Sequence, residues 1–213
     1  MFRDREDAAH QLAAALRLFE FTNPLVLAIP CGGVVIGAIL ARELGAELDV
    51  ILSHKLRAPD HPEQAIGAVS ESGDLYLNDI DDEAASISDD YIHREKQHQL
   101  SILADRGKSI RQVRAKALIV GRSVIVVDDG IATGSTMIAA LKVVRAQEPA
   151  AVIVATPVAP TDQIRRLERY CDRFVCLLST ARLGTVGQFY EEFPSVDDGL
   201  VIHLLKRWRA ETA

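Results

Sequence analysis

Short apolar runs alternate with amphipathic segments along most of this chain. The apolar runs predict buried strands at 24–30, 48–53, 123–128, 151–156 and 173–178. The amphipathic segments predict helices at 5–20, 33–44, 135–147 and 161–170, the second of which is expected to end at a glycine cap, Gly45. Strands that alternate with helices predict an α/β fold with a doubly wound, mainly parallel sheet. Ligands bind such sheets beyond the carboxyl ends of the strands, so each loop that follows a strand is a candidate site.

One region, 57–80, interrupts this alternation. Within it, the segments AIGAVS and DLYLN flank the turn SESG, and this pattern predicts a small antiparallel hairpin. Because the region combines prolines and glycines with little apolar mass, we expect a lid that is mobile without ligand. A long polar helix is predicted over 82–106. Residues 183–213 are expected to complete a hood on a single domain that spans 1–213.

Composition narrows the class of protein. The 213 residues carry a net charge of −6, which argues against a nucleic-acid-binding surface. No apolar run approaches the roughly 20 residues of a membrane span, so no membrane partner is expected. The start, MFRDREDAAH, lacks the apolar core of a signal peptide. Together with the odd number of cysteines, this predicts a cytoplasmic protein.

The segment VIVVDDGIATGSTM, 124–137, carries the most chemical information. A strand ends at an acidic pair, and a glycine-rich turn leads directly into a helix. Backbone N–H groups in such a turn form an anion cradle, which hydroxyl side chains extend. Carboxylates at its edge can accept hydrogen bonds from sugar hydroxyls or help to hold hydrated Mg²⁺. The candidate residues are Asp128, Asp129, Gly130, Ile131, Ala132, Thr133, Gly134, Ser135 and Thr136.

Three other classes of site do not match the sequence. A P-loop requires a lysine after its last glycine, but Ser135 follows Gly134. A dinucleotide fingerprint after Gly32 would need a further glycine where Val34 stands. The G-x-S-x-G elbow of the α/β-hydrolases is absent from the chain.

The 124–137 segment resembles the signature of the type I phosphoribosyltransferases. The resemblance implies that Asp128 and Asp129 contact the ribose hydroxyls of phosphoribosyl pyrophosphate (PRPP), directly or through Mg²⁺ and water. It also implies that the loop from Gly130 to Thr136 holds the 5′-phosphate. A second segment, IPCGGVVIGAILARELGAELDV at 29–50, resembles the family's pyrophosphate loop. There, Cys31, Gly32 and Gly33 would bind pyrophosphate, with a non-proline cis peptide in the loop.

Two further segments, HKLRAPDHPEQAIGAV at 54–69 and VGQFYEEF at 186–193, resemble a bacterial subgroup of this family. By this resemblance Lys55 would be catalytic at the pyrophosphate, and Arg57 would bind substrate. Tyr190 would stack on the base. Phe189 stands next to it and is a second candidate for this role, but Phe189 could instead pack in the core. The resemblance further implies a homodimer.

The activity implied is Mg²⁺-dependent transfer of the phosphoribosyl group to a nitrogenous acceptor, with a nucleobase as the expected acceptor, and release of pyrophosphate. Ala132 stands where relatives specific for 6-oxopurines carry an aspartate, which argues against hypoxanthine or guanine. Cys31 and His54 stand where subgroup members often carry arginine. These departures leave open a non-catalytic PRPP- or nucleotide-sensing module that acts through a protein partner.

For several other residues, the sequence predicts only their pKa or their exposure to solvent. At a helix N-terminus, Cys31 is hypothesised to have a lowered thiol pKa, with buried inertness as the alternative. Cys171 and Cys176 are expected to pack as small apolar groups. The histidines of HREKQH, 93–98, and the acidic pair Asp197 and Asp198 are expected to be solvated.

Overall fold

Five parallel strands form the central sheet of the computed structural model, which describes residues 1–59, 65–77 and 87–212. The strands are β1 (Leu25–Ala28), β2 (Glu47–Val50), β6 (Ser123–Val127), β7 (Ala151–Pro160) and β8 (Arg173–Thr180). Their order across the sheet is β2-β1-β6-β7-β8. The predicted doubly wound parallel sheet is therefore confirmed.

The direction of strand order reverses between β1 and β6. The chain proceeds from β1 outward to β2 on one side, and from β6 outward through β7 to β8 on the other. The register pairs Ala28 with Val127 at the carboxyl ends of these two strands. Such a reversal opens a crevice where ligands bind in α/β sheets. The two loops that the sequence singles out, after β1 and after β6, meet at this point.

Helices cover both faces of the sheet. Side chains of successive strand residues point to opposite faces, and because these side chains are apolar, both faces need to be covered. Val26 and Ala28 contribute to the core shared with α1 (Arg5–Leu16), α2 (Gly32–Leu44) and α6 (Asp198–Thr212). Leu25 and Leu27 contribute to the core shared with α4 (Ser135–Arg145) and α5 (Thr161–Leu167). Helix α2 ends at Gly45 in the left-handed conformation, which confirms the predicted cap.

A second, three-stranded antiparallel sheet contains β3 (Ser53–Arg57), β4 (Ala65–Ser70) and β5 (Leu75–Leu77). The hairpin of β4 and β5 is confirmed, with Gly67 opposite Leu77. The strand predicted at 48–53 is confirmed as β2, but it ends at Val50, three residues earlier than predicted. The chain leaves the parallel sheet after Val50 and pairs again, now with β4, from Ser53.

The long helix predicted at 82–106 is observed as α3 (Asp89–Val113). Its start is fixed by Ser88, whose side chain accepts a hydrogen bond from the N–H of Tyr91. Residues 82–86 of that prediction lie outside the described residues, as do 60–64 and 78–80 of the expected lid. The expected mobility of the lid stays a prediction.

Helix α6 was not predicted, although it belongs to the segment expected to form the hood. Val201, Leu205 and Trp208 are buried in the core at helical spacing. No helix in the described part of the chain is long and apolar enough to cross a membrane.

Candidate active site

The loop after β1 packs directly on the acidic pair after β6. A Cβ atom on Gly32 would lie 1.8 Å from Asp129 Oδ2, and a Cβ atom on Gly33 would lie 2.7 Å from the carbonyl oxygen of Val127. Only glycine permits this approach. The peptide bond between Pro30 and Cys31 is cis, as the family resemblance implies. The two glycines therefore allow the two loops to contact each other. These are the loops that were predicted to hold opposite ends of one ligand.

The loop before α4 surrounds a cavity of about 170 Å³. Gly134 adopts φ 72° and caps the helix without a side chain, a conformation that favours glycine. Among the described residues, the N–H groups of Ala132, Thr133 and Gly134 have no hydrogen-bond partner. The lining residues are Asp128, Gly130, Ile131, Ala132, Thr133, Gly134, Thr136 and Met137. Consecutive free N–H groups at a helix N-terminus form an arrangement suited to a phosphate.

Two residues of the loop have structural contacts that sequence reasoning did not foresee. Ile131 is 3% exposed, and its N–H donates to the carbonyl oxygen of Val158 at 2.9 Å. That N–H group is therefore engaged with β7, and Ile131 anchors the loop. A Cβ atom on Gly130 would lie 2.3 Å from Val186 Cγ1, so this glycine lets the hood segment approach the loop.

The acidic pair has unequal surroundings. Burial raises the pKa of Asp128 well above its ordinary value, and the neighbouring charge of Asp129 raises it further. The N–H of Asp129 donates to Asp128 Oδ1 at 2.9 Å, which partly opposes this rise. A cation or a hydroxyl donor that enters the site would favour the charged form of Asp128.

Asp129 has a partner that the sequence did not reveal. Arg5 Nε donates to Asp129 Oδ2 at 2.8 Å, and the two side chains are only 8% and 14% exposed. The guanidinium also donates to the carbonyl oxygen of Pro194 at 2.7 Å. Its Cζ lies 3.7 Å from the centre of the Phe193 ring. Arg5 thus joins α1, the acidic pair and the hood segment.

Tyr190 reaches the acidic pair from the same side. Its hydroxyl donates to the carbonyl oxygen of Asp129 at 2.6 Å, and burial raises its pKa. The ring packs against Phe2 and Phe193, with centroid distances of 5.4 and 4.8 Å. Tyr190 is 5% exposed, so this arrangement leaves no open ring face for the base stacking expected of it. Phe189 packs at the same small core, in line with the alternative given for it.

Cys31 lies at the start of α2, between Arg106 of α3 and Asp198 of α6. Arg106 Nη2 donates to Cys31 Sγ at 3.6 Å, and Cys31 Sγ donates to Asp198 Oδ1 at 3.6 Å. Burial raises the pKa of this thiol, and Asp198 raises it further, while Arg106 opposes both. The hypothesis of a lowered thiol pKa is therefore wrong.

Strand β3 carries the residues predicted to contact pyrophosphate. His54 Nδ1 lies 2.9 Å from Gln99 Oε1, and burial lowers the pKa of His54. Lys55 pairs with Ala68 in the register and is partly exposed, and Arg57 is exposed at the end of the strand. The assignment of Lys55 and Arg57 to substrate stays a prediction.

The remaining expectations are mostly confirmed. His93, His98 and Asp197 are exposed. Cys171 and Cys176 are half-buried against apolar neighbours, and burial raises the pKa of each thiol to about 11. Asp198 differs, because it forms an ion pair with Arg106, with Nε 2.9 Å from its Oδ1.

The chemistry of the acidic pair fits Mg²⁺. No cluster of three or more metal-ligating side chains occurs in the described residues. Magnesium does not require one, because it commonly binds one or two carboxylates and completes its shell with water and substrate phosphates. Asp128 and Asp129 offer such carboxylates beside the glycine-rich loop before α4.

The fold and the site together define an α/β protein with an acidic pair and a glycine-rich loop at the switch point of its sheet. The family model for the phosphoribosyl transferase domain matches residues 3–187. The chain belongs to this family, and its fold is that of the type I phosphoribosyltransferases.

Two relatives cover almost the whole chain. "Putative phosphoribosyl transferase Rv0571c" of Mycobacterium tuberculosis is 37% identical over 207 residues, which are 97% of this chain and 47% of that protein. The chain thus spans about half the length of this curated relative. The crystal structure of TT1426 from Thermus thermophilus is 42% identical, with a TM-score of 0.91 over 97% of this chain and 98% of that one.

A more distant structure shows the fold alone. Protein AQ2163 of Aquifex aeolicus is 13% identical, with a TM-score of 0.50 over 86% of this chain and 78% of that one.

Proposed function

We propose that this chain binds PRPP with Mg²⁺ and transfers its phosphoribosyl group to a nitrogenous acceptor, with release of pyrophosphate. The observation that carries the proposal is the row of three free N–H groups, Ala132 to Gly134, beside the acidic pair at the sheet's switch point. Membership in the phosphoribosyl transferase family supports it. A glycine-rich turn with a purely structural role would not require carboxylates at its edge, so the acidic pair favours a binding role for this loop.

The two contacting loops divide the substrate between them. The free N–H groups and the hydroxyls of Thr133, Ser135 and Thr136 would hold the 5′-phosphate. Asp128 and Asp129 would accept hydrogen bonds from the ribose hydroxyls. The loop of Cys31, Gly32 and Gly33 would hold the pyrophosphate at the N-terminus of α2. The packing of Gly32 on Asp129 supports this division, because it fixes the spacing of the two loops.

Asp128 and Asp129 would hold Mg²⁺ together with substrate oxygens. When bound, the ion would supply charge that offsets the leaving pyrophosphate. The chain's own contribution is positioning and electrostatic stabilisation, since a phosphoribosyl transfer passes through a transition state with positive charge on the sugar. Asp129, which accepts a hydrogen bond from Arg5, would stabilise that charge.

The acceptor is proposed to be a nucleobase other than a 6-oxopurine, because Ala132 offers no side-chain group to a purine nitrogen. We also propose that the protein forms a homodimer and acts in the cytoplasm. The three free cysteines are consistent with a reducing compartment. Light scattering on the purified chain tests the dimer.

The test measures pyrophosphate release from PRPP and Mg²⁺ with a panel of nucleobases, together with PRPP binding by calorimetry. We expect turnover with at least one base and loss of PRPP binding in Asp128→Asn. Tight binding without turnover would instead identify a sensing module. Absence of PRPP binding in the folded wild-type protein would overturn both functions.

A further inference from the structure

Arg106 brings a positive charge to the loop proposed to hold pyrophosphate. It lies on α3, and its Nη2 donates to Cys31 Sγ at 3.6 Å. Cys31 directly precedes Gly32 and Gly33 at the start of α2. The guanidinium of Arg106 is therefore in contact with the first residue of that loop, although the two lie on separate elements of the fold.

This guanidinium is poorly matched to its present neighbours. A thiol is a weak hydrogen-bond acceptor, and arginine has several N–H donors in a planar fork. Among the described residues, Arg106 donates a hydrogen bond only to Cys31 Sγ, and it forms an ion pair with Asp198, whose Oδ1 lies 2.9 Å from Nε. Its side chain is 33% exposed. The outer edge of the fork is thus available to a ligand that offers several oxygens.

The charge of the same guanidinium also affects His54 of β3. Its charge, together with that of Arg57, contributes to the lowered pKa of His54. Arg106 thereby brings positive charge close to both Cys31 and His54. An anion bound at the α2 N-terminus would lie within this field.

Asp198 is the anion that now occupies part of this region. Its Oδ1 lies 2.9 Å from Arg106 Nε in an ion pair and accepts a hydrogen bond from Cys31 Sγ at 3.6 Å. The side chain is 48% exposed and stands at the first residue of α6. A carboxylate in this position offsets the charge that would otherwise attract an anion to the loop.

We propose that Arg106 binds the diphosphate end of the phosphorylated substrate, and that Asp198 is the intramolecular anion which the ligand displaces from it. This inference deepens the proposed function and rests on it. A half-exposed ion pair is weak. An arginine fork on a phosphate forms two parallel charge-assisted hydrogen bonds, so the ligand is the stronger partner.

The exchange predicts opposite effects of removing the two partners. Calorimetry with inorganic pyrophosphate and Mg²⁺ should show affinity lowered about tenfold or more in Arg106→Met, the loss of one charged hydrogen-bond partner. In Asp198→Asn the affinity should rise about two- to fivefold, because a weak competing ion pair is removed. Arg106→Lys should retain the charge but only part of the affinity.

A structural ion pair would behave differently, since the loss of either partner would weaken binding in the same direction. Ribose 5-phosphate serves as a second probe, and its affinity should be unchanged in all three variants. Arg145 and Asp172 form a matched control pair, with a 2.9 Å contact and side chains 40% and 47% exposed. Arg145→Met and Asp172→Asn should leave pyrophosphate affinity at the wild-type value.

The outcomes separate the two proposals. Wild-type protein that binds neither probe overturns the proposed function and this inference together. Wild-type protein that binds both probes, with pyrophosphate affinity unchanged in Arg106→Met or lowered in Asp198→Asn, overturns this inference alone. If Arg106→Met does not fold, as judged by thermal unfolding, the gain expected in Asp198→Asn still decides the question.

Discussion

Arg5 Nε donates to Asp129 Oδ2 at 2.8 Å, and these residues are 124 positions apart in the sequence. Both side chains are largely excluded from solvent. A carboxylate of the acidic pair is thus oriented by a charge from the first helix rather than by its own loop. The orientation of Asp129 depends on how the beginning of the chain and the hood pack together.

Replacing Arg5 should therefore be costly. Arg5→Met leaves Asp129 buried without its cation, and we expect the free energy of unfolding to fall by about 3–5 kcal/mol. PRPP affinity should fall as well, since the carboxylate is no longer held in place. Urea unfolding and calorimetry measure the two effects. The pair of Arg17 and Glu43 supplies the control, because the Arg17 side chain is 57% exposed and Arg17→Met should cost less than about 1 kcal/mol. An equal cost for both variants would contradict this account.

Gly134 should be essential to the phosphate cradle because of its backbone conformation. Gly134 and Gly121 have φ values of 72° and 70°, and Gly121 has open space around its Cβ position. Gly134→Ala and Gly121→Ala should each lose about 1–2 kcal/mol of stability from the left-handed backbone. Only Gly134→Ala should weaken binding of ribose 5-phosphate, measured by calorimetry. Normal ribose 5-phosphate affinity in Gly134→Ala would place the phosphate elsewhere.

His54 should make the protein less stable in mild acid. Burial lowers the pKa of His54 in the folded protein below its value of about 6.5 in the unfolded chain. At a pH between these two values, the unfolded chain therefore binds more protons than the folded protein. Stability from this group is therefore present above about pH 6.5 and is lost as the pH falls through the folded pKa. His54→Asn should flatten the pH dependence of the melting temperature below about pH 7. His93→Gln, an exposed control, should leave that slope as it is in the wild type.

Arg111 should be a main link between α3, strand β2 of the parallel sheet and the end of β4. It donates to Asp49 Oδ1 at 2.7 Å and to both carboxylate oxygens of Glu71, at 2.8 and 2.7 Å. Asp49 is 1% exposed, so Arg111→Met would leave a buried carboxylate without its cation. We expect a loss of about 3–5 kcal/mol in urea unfolding. Arg94→Met, on the exposed face of the same helix, should change stability by less than about 0.5 kcal/mol. A small loss for Arg111→Met would contradict a central role.

The strand–loop–helix unit of the proposed phosphate site could be predicted as a structural unit because its signals are local. Four apolar residues, an acidic pair and glycines stand together in the sequence, and the structure brings the two predicted loops into contact through Gly32. Helix α6 also had a local signal, since Val201, Leu205 and Trp208 recur at helical spacing. The break between β2 and β3 had none, because the chain changes sheets within a continuous run of strand-forming residues.

The contacts of Arg5 and Arg106 could not be predicted from sequence spacing. Each arginine stands on a helix among other polar residues, where a solvated face is the ordinary outcome, and its partner comes from a distant segment. The prediction for Cys31 failed for a related reason. A helix N-terminus lowers a thiol pKa, but burial and the carboxylate of Asp198, which only the tertiary structure reveals, outweigh it.

The contacts between the two ends of the fold also determine when the site can form. The N–H of Phe2 donates to the carbonyl oxygen of Phe189, and the N–H of Glu191 donates to that of Phe2. During synthesis on the ribosome, Asp129 emerges well before Tyr190 and Pro194, which hold it and its arginine in place. The sheet can assemble from strands that are already available, while the acidic pair must wait for this closing segment. Substrate competence should therefore appear as a late step of folding, after most secondary structure has formed.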